Sequence, residues 1–462
     1  MIVICLSNSS CGVLHTGSWE SRHTIKSVAM PTEAIQKIVV TGTVVSCLKK
    51  PFSSIYRGIA TLKSRTEITA DHWMRFLPEA GSKVDPSLTI EQALDAKKFP
   101  RPIPGKVDYF IDGAFYTELH RSVAGAQKSV DTRIFIFDND DVAAAYADLL
   151  KEKSKTIPCR ILMDHLGSIT SWWVEPVTPM RTAYPPPACM VAYLRNDGNV
   201  KVRISRNPWL IADHTKLIVV DGHEAYLGGM NIGREYQHEW HDMMVRVKGP
   251  IVAAMQNEFN KSWKLQGPWG DWAVPFHRGS KKFRTTINKG EIPIRMLKTG
   301  PNNSDINDAL ITAIRMGRHR ILLHVSYMTS DPLMRELLKA KKRGVDITMI
   351  FPDKNDNALL NTNNRACAHE LLKAGAKVYL YPSSSHAKAV VVDDWACLGS
   401  ANLDALSLNI NDELNIAFTD KRSVDKLVRD LFLKDFKVSK ALKVDDVKGW
   451  AGSPLEFIAD HL

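Results

Sequence analysis

The chain has 462 residues, 44% of them hydrophobic and 24% charged, and a formal net charge of +11. That is ordinary globular composition, with length for two domains or two fused repeats, and its basic excess suits a polyanionic surface such as anionic lipid or nucleic acid. Seven scattered cysteines without a CxxC pair exclude a disulfide-stapled scaffold and a cysteine metal cage, and no apolar run reaches the length needed to span a bilayer.

Residues 1–100 show no strand pattern and are expected to form an N-terminal leader. Within them IVVTGTVVSCL (Ile38–Leu48) has the form of a signal-peptide core, and Val44-Val45-Ser46-Cys47 resembles a lipoprotein cleavage box that would place a lipid on Cys47. An amphipathic or disordered leader is the competing expectation, and Met30 is an alternative start to Met1. A basic stretch runs from Lys49 to Arg65, a helix is predicted near Ile90–Lys98, and the Pro-rich Arg101–Gly105 reads as a boundary.

From there strands and helices alternate. Helices are predicted at Tyr116–Gln127 and Val142–Lys151, and strands at Ser129–Phe137, Cys159–Asp164 and Lys201–Ser205. The same order returns with helices at Asn307–Met316 and Pro332–Arg343 and strands at Arg320–Tyr327, Val345–Pro352 and Lys377–Pro382. The expected fold class is α/β: two tandem units, 101–270 and 271–462, each a mostly parallel sheet flanked by helices, packed as a pseudo-dimer. Two Trp- and Pro-rich segments, Ser168–Ala188 and Gly267–Lys282, break the rhythm. Trp172 and Trp173 are expected either to dip into a headgroup layer or to pack over the site.

The two units share polar letters as well as apolar ones. HTKLIVVDGHEAYLGGMN begins at His214 and HAKAVVVDDWACLGSAN at His386. If the HxK lies on a strand, His214 and Lys216 share a face, as do His386 and Lys388. Asp221 and Asp393 follow, then short strands and small-residue loops ending in Asn231 and Asn402. Asn231 is 17 residues after its His and Asn402 is 16 after its own; Asp242 is 28 after and Glu413 is 27 after. One extra residue in the first loop accounts for each difference, so a carboxylate recurs in register.

Brought together across a seam, these letters supply two imidazoles, two ammonium groups and two amides. One imidazole can attack and the other protonate a leaving group, while the cations and amides hold a tetrahedral anion. That describes a phosphodiester site expected to need no metal or cofactor.

HTKLIVVD and HAKAVVVD resemble the HxKx4D signature of the phospholipase D superfamily. GGMNIGREY, EWHDMMVRVKGPIV and GSANLDALSLNINDELNIAFTD are similar to bacterial cardiolipin synthases. The resemblance covers roughly Val107–Val438. It implies that His214 is the nucleophile and His386 the general acid and base, within a catalytic set of His214, Lys216, Asp221, His386, Lys388 and Asp393. Asn231, Asn402 and Ser400 would bind phosphate with the lysines. Glu413 and Asp242 would orient the histidines, each serving the opposite half. Asp221 and Asp393 are expected to support loops rather than touch substrate.

The family's usual DxRS is departed from at Leu406, and its two N-terminal transmembrane helices are not seen, so the shorter, peripherally bound members are the better match. The implied partners are a phospholipid such as phosphatidylglycerol and an anionic bacterial cell membrane, with no obligate protein partner. The expected reaction is phosphatidyl transfer; lipid hydrolysis and nucleic-acid phosphodiester cleavage are the alternatives.

Overall fold

In the computed structural model, the described residues are 32–447 apart from 75–84, 86, 173–177, 181–184, 209–210, 274–283, 285 and 355–357. They form two compact α/β units. The first gathers residues up to Ile59 with Ile103–Glu291, and the second gathers Ala60–Pro102 with Ile292 onward.

The first unit holds β1 (Ile103–Ile111), β2 (Val130–Ile134), β3 (Cys159–Asp164), β4 (Lys201–Ser205), β5 (Leu217–Val220), β6 (Glu224–Gly228) and β7 (Met243–Lys248), in the order β1-β7-β6-β5-β2-β3-β4. The second holds β8 (Ile292–Gly300), β9 (Asn303–Ser304), β10 (Arg320–His324), β11 (Asp346–Lys354), β12 (Lys377–Ser384), β13 (Ala389–Val392), β14 (Trp395–Gly399), β15 (Glu413–Thr419) and β16 (Lys440–Ala441). There the order is β16-β12-β11-β10-β13-β14-β15-β8, with β9 on β8. Two copies of one topology are evident.

The sheets are mixed rather than mostly parallel. Parallel pairing is confined to β2/β3/β4 and to β10/β11/β12, whose connections carry helices. The motif strands β5 and β13 run antiparallel to their neighbours on both sides. On one side the cause is local: a tight turn joins β5 to β6 and β13 to β14, and only an antiparallel hairpin can close over so few residues; on the other, beside β2 and β10, it is the order of strands in the sheet. Asp221 and Asp393 occupy those turns at φ 57° and 53°, a left-handed conformation that Asp tolerates better than most side chains.

Helices cover the sheets, so β5 and β13 are buried on both faces and read as unbroken apolar runs, LIVV and AVVV. Helix starts follow side-chain caps: Asp140 accepts from Ala143 N–H, and Ser330 caps a helix with Pro332 in its first turn. Residues 60–102, read as leader in the sequence, join the second unit through a buried cation. Arg295 on β8 is fully enclosed and bonds Glu91 at 2.7 Å, Asp95 at 2.7 Å and the Pro100 carbonyl at 2.6 Å.

The leader is largely helical where it is described. Thr32–Lys49 forms helix α1 and Pro51–Met74 helix α2. The β-branched residues and Gly42 of α1 disfavour a helix on propensity, but tertiary packing overrides them. Gly42 sits where a side chain would meet His165, and Ser46 and Ser54 are buried with their hydroxyls 3.2 Å apart. No helix among the described residues is long and apolar enough to cross a membrane. Trp172 packs against the first core and donates to the Phe137 carbonyl at 2.8 Å, while Trp173 lies outside the described residues.

The largest fully buried side chain is Trp395, at the start of β14 in the second core. Its indole N–H finds no acceptor among the described residues. Trp395→Ala is expected to cost about 3–5 kcal/mol, and Trp395→Phe under about 1.5 kcal/mol because volume is nearly kept and no hydrogen bond is lost. Urea unfolding of both variants checks this; equal losses would contradict it.

Candidate active site

In each unit the histidine and lysine of the motif lie just ahead of the central strand, in extended chain, not on it. β5 begins at Leu217 and β13 at Ala389, each directly after the lysine. The i, i+2 relation still brings the pair together. Lys216 Nζ donates to the His214 carbonyl at 2.9 Å, and Lys388 Nζ to the His386 carbonyl at 2.7 Å. All four residues are buried: His214 is 6% exposed, Lys216 0%, His386 2% and Lys388 3%. An ammonium group out of water costs several kcal/mol unless an anion or several acceptors meet it.

Strand β2 and its counterpart β10 wall each half-site. Arg133 pairs with Leu217 and His324 with Ala389, so Arg133 and His324 hold the same register position. Two residues further on, the halves differ. The Phe135 ring meets the His214 imidazole edge-on at 4.8 Å and lies 5.0 Å from Lys216 Nζ. In the second unit Ser326 takes that place, 3.3 Å from Lys388 Nζ. One histidine therefore lies against an aromatic face, and the other half carries a hydroxyl.

The small-residue loops return beside these strands through single parallel bridges, Phe137 with Ile232 and Met328 with Leu403. Tyr116 pins the first loop: its hydroxyl donates to the Asn231 carbonyl at 2.6 Å and receives the Gly233 N–H at 3.3 Å. Asn231 accepts from the Ile136 N–H at 3.0 Å, and its Nδ2, fully buried, has no acceptor among the described residues. A buried amide donor without a partner is costly and fits an oxyanion. Asn402 differs, donating to Asp404 and leaving Oδ1 without a donor among the described residues.

The two carboxylates sit against the loops in a compensating way. Asp242 accepts from its neighbour Met243 N–H at 2.7 Å, and a side chain at Gly229 would meet its carboxylate at 2.3 Å. Glu413 is one methylene longer, and the position matching Gly229 is Ser400, whose hydroxyl donates to Glu413 at 2.5 Å and receives the Leu414 N–H at 3.0 Å. Ser400, expected among the phosphate binders, here holds the Glu413 carboxylate through its hydroxyl proton.

Asp221 and Asp393, grouped with the catalytic residues in the motif, lie at the far ends of β5 and β13. Asp221 accepts N–H groups of Gln127, Lys128 and Ser129, and Asp393 those of Arg318, His319 and Arg320. These bonds hold the Asp221 carboxyl below its usual range despite partial burial. Both are turn clamps. Leu406 lies in a short helix capped by Asp404, which accepts from Ser407 N–H at 2.6 Å.

Sequence reading missed the residues that fix the position before each histidine. Asp213 is clamped by Arg133, Nη2 to Oδ1 2.8 Å, and its N–H donates to Asp164 at 3.0 Å. Ser385 Oγ lies 2.7 Å from His324 Nε2, whose Nδ1 is 3.0 Å from Asp435. The available signal was a basic residue inside an apolar strand, in VDTRIFIF and RILLHVSY.

Residues 119–263 and 310–435 match the family described as cardiolipin synthase, PLD-like domain, which is more than half of the chain. The chain belongs to this family of the phospholipase D superfamily. A cardiolipin synthase of Listeria monocytogenes is 29% identical over 359 residues, covering 73% of this chain and 70% of its own. The major cardiolipin synthase of Bacillus subtilis is 28% identical over 361 residues, covering 74% and 70%. The crystal structure of a phosphatidylserine synthase from Haemophilus influenzae shares the fold at a TM-score of 0.60 with 13% identity, over 79% of this chain and 95% of that one. The protein is thus a phosphatidyltransferase-type enzyme of the superfamily.

Two predictions follow from the packing. Gly229→Ala drives a methyl into the Asp242 carboxylate and is expected to cost about 1–3 kcal/mol of stability, with turnover falling at least about tenfold; Gly222→Ala, at φ 63° but in open space, should leave turnover unchanged. Comparison of kcat for the two checks this.

Asp164 is buried, and burial pushes its carboxyl up to about 7. The folded state then binds this proton more tightly than the unfolded chain does, so its contribution to stability falls as pH rises from about 4 towards about 7. The difference in melting temperature between wild type and Asp164→Asn should shift against the wild type across that window; a difference independent of pH would contradict it.

Proposed function

We propose that the protein transfers a phosphatidyl group from a phospholipid such as phosphatidylglycerol to the hydroxyl of a second one, giving cardiolipin and glycerol. His214 attacks phosphorus, the phosphorus–oxygen bond to the leaving glycerol breaks, and His386 gives its proton to that oxygen. The incoming alcohol then passes its proton to His386 and attacks phosphorus, and the phosphorus–nitrogen bond to His214 breaks. Lys216, Lys388 and Asn231 hold the non-bridging oxygens, and Asn402 lines the same phosphate. Glu413 steadies the His214 imidazole and Asp242 that of His386.

The observation that carries this reading is the buried Nδ2 of Asn231, which has no acceptor among the described residues, together with two buried lysines, each folded onto its own histidine's carbonyl. A buried amide donor without an acceptor is costly, and with two ammonium groups it suits an anionic phosphodiester. The Phe135 and Ser326 difference supports unequal roles for the two histidines, since one imidazole lies against an aromatic ring and the other half carries a hydroxyl at that register position. The membrane face used is that of a peripheral protein on an anionic bacterial membrane.

The test is incubation of purified protein with phosphatidylglycerol vesicles, with cardiolipin and glycerol as readouts. Loss of one oxyanion donor typically costs about 10²–10³ in kcat, so Asn231→Ala is expected in that range, and His214→Ala is expected to abolish turnover. Undiminished lipid turnover in His214→Ala would overturn the assignment, and cleavage of DNA without lipid turnover would replace the substrate class.

A further inference from the structure

Helices α1 and α2 are inverted in amphipathic sense. The helical hydrogen bonds continue past Lys49, with Lys50 N–H on Ser46 and Ser54 N–H on Lys50. One face of this rod, at four-residue spacing, is Gly42, Ser46, Lys50 and Ser54, and it is the buried one. Lys50 is 3% exposed and donates to the Arg206 carbonyl at 2.5 Å and to Gln266 at 3.0 Å. Ser53 N–H bonds Asp271 at 3.0 Å. The other face carries Val40, Val44, Leu48, Phe52, Ile55 and Ile59, spaced four, four, four, three and four, each 50–78% exposed. A surface helix normally buries its apolar stripe and presents its small and polar residues to water. Here the polar face is held by specific bonds and the apolar one is left outward.

The patch extends beyond the rod. Phe52 meets the Trp272 ring edge-on at 5.7 Å, and Trp272 and Trp269 are 62% and 74% exposed. A stripe of six large apolar residues flanked by two tryptophans exceeds the scattered exposure usual for a soluble surface. Charge points the same way. From Ile38 to Thr66 the sequence carries Lys49, Lys50, Arg57, Lys63 and Arg65 and no acid. A cavity of about 580 Å³ beside α1 is lined by Lys49, Lys50, Arg195, Arg203 and Arg206, with Asp164 as its one carboxylate. Arg206 Nε is buried there without an acceptor among the described residues.

We propose that α1 and the first turns of α2, with Trp269 and Trp272, are the surface by which the protein docks on an anionic bilayer. The apolar stripe enters the acyl boundary, with the rod lying in the plane of the interface. Exposed Lys49 and half-buried Arg57 beside it meet phosphate headgroups, whereas Lys50 is buried in the fold. The helices cannot cross the bilayer, so the contact is one-sided. The choice of a lipid occupant rests on the phosphatidyl-transfer reading above, whereas the exposure of the stripe does not.

The test is flotation of the full chain with phosphatidylglycerol vesicles and, separately, with phosphatidylcholine vesicles. Wild type is expected to float with the anionic vesicles and weakly with the zwitterionic ones. The triple variant Leu48→Gln, Phe52→Gln, Ile55→Gln is expected to lose at least about tenfold in vesicle partition. Leu48→Gln alone, at 78% exposure, serves as the milder variant should the triple one misfold, with a smaller loss expected.

A short-chain phosphatidylglycerol below its micellar concentration separates docking from chemistry. The triple variant should turn it over like wild type, whereas His214→Ala should float normally and turn over nothing. A triple variant that floats like wild type overturns the proposal. So does a wild-type dimer that the substitutions dissociate while flotation is unchanged, since the face would then cover a second copy. Normal flotation of wild type without any lipid turnover would sink the enzymatic reading alone.

Discussion

Two ammonium groups almost without solvent exposure are the constraint around which each half of this chain is built. Lys216 and Lys388 each curl back onto the carbonyl of the histidine two residues before them. Each bond takes one N–H of the ammonium, and Lys388 also reaches the Ser326 hydroxyl at 3.3 Å; a desolvated cation is stable only where acceptors or an anion meet it. The surrounding strands serve this arrangement. LIVV and AVVV anchor the segment from below, the hairpin turns are locked by Asp221 and Asp393, and the loops that end in Asn231 and Asn402 are brought back by single bridges.

The two copies differ at matched positions around their histidines. Phe135 faces His214, and Ser326 stands at the matching place beside Lys388. Gly229 with Asp242 is matched by Ser400 with Glu413, so a longer carboxylate is accompanied by a hydroxyl that holds it. Behind the histidines, a permanently charged Arg133–Asp213 pair is matched by the His324–Ser385 contact and Asp435. These differences keep the backbone geometry common while changing the electrostatics of each imidazole.

Much of this was legible in the sequence because it is local. Strands Cys159–Asp164 and Lys201–Ser205 were read to the residue, and spacing alone put the histidines, lysines, asparagines and carboxylates of the two halves in register. What was not legible depends on partners distant in the chain. The antiparallel placement of β5 beside β2 is a matter of sheet order, not of periodicity. The Arg133 clamp joins residues 80 apart. Helix α1, rich in β-branched residues, is a poor helix by propensity and forms because Gly42 and Ser46 pack on the first unit. Ser400 sat in a loop of phosphate-binding character, and only its bond to Glu413 reveals its use.

The central claim is that His214, and not His386, carries the phosphatidyl group between half-reactions. The direct measurement is rapid quenching of wild-type protein during turnover of phosphatidylglycerol, alkaline digestion conditions that preserve phosphohistidine, and mass spectrometry of the two motif peptides. A phosphatidyl adduct on the peptide containing His214 is the predicted result. An adduct on the peptide containing His386, or turnover with no adduct on either, would contradict it.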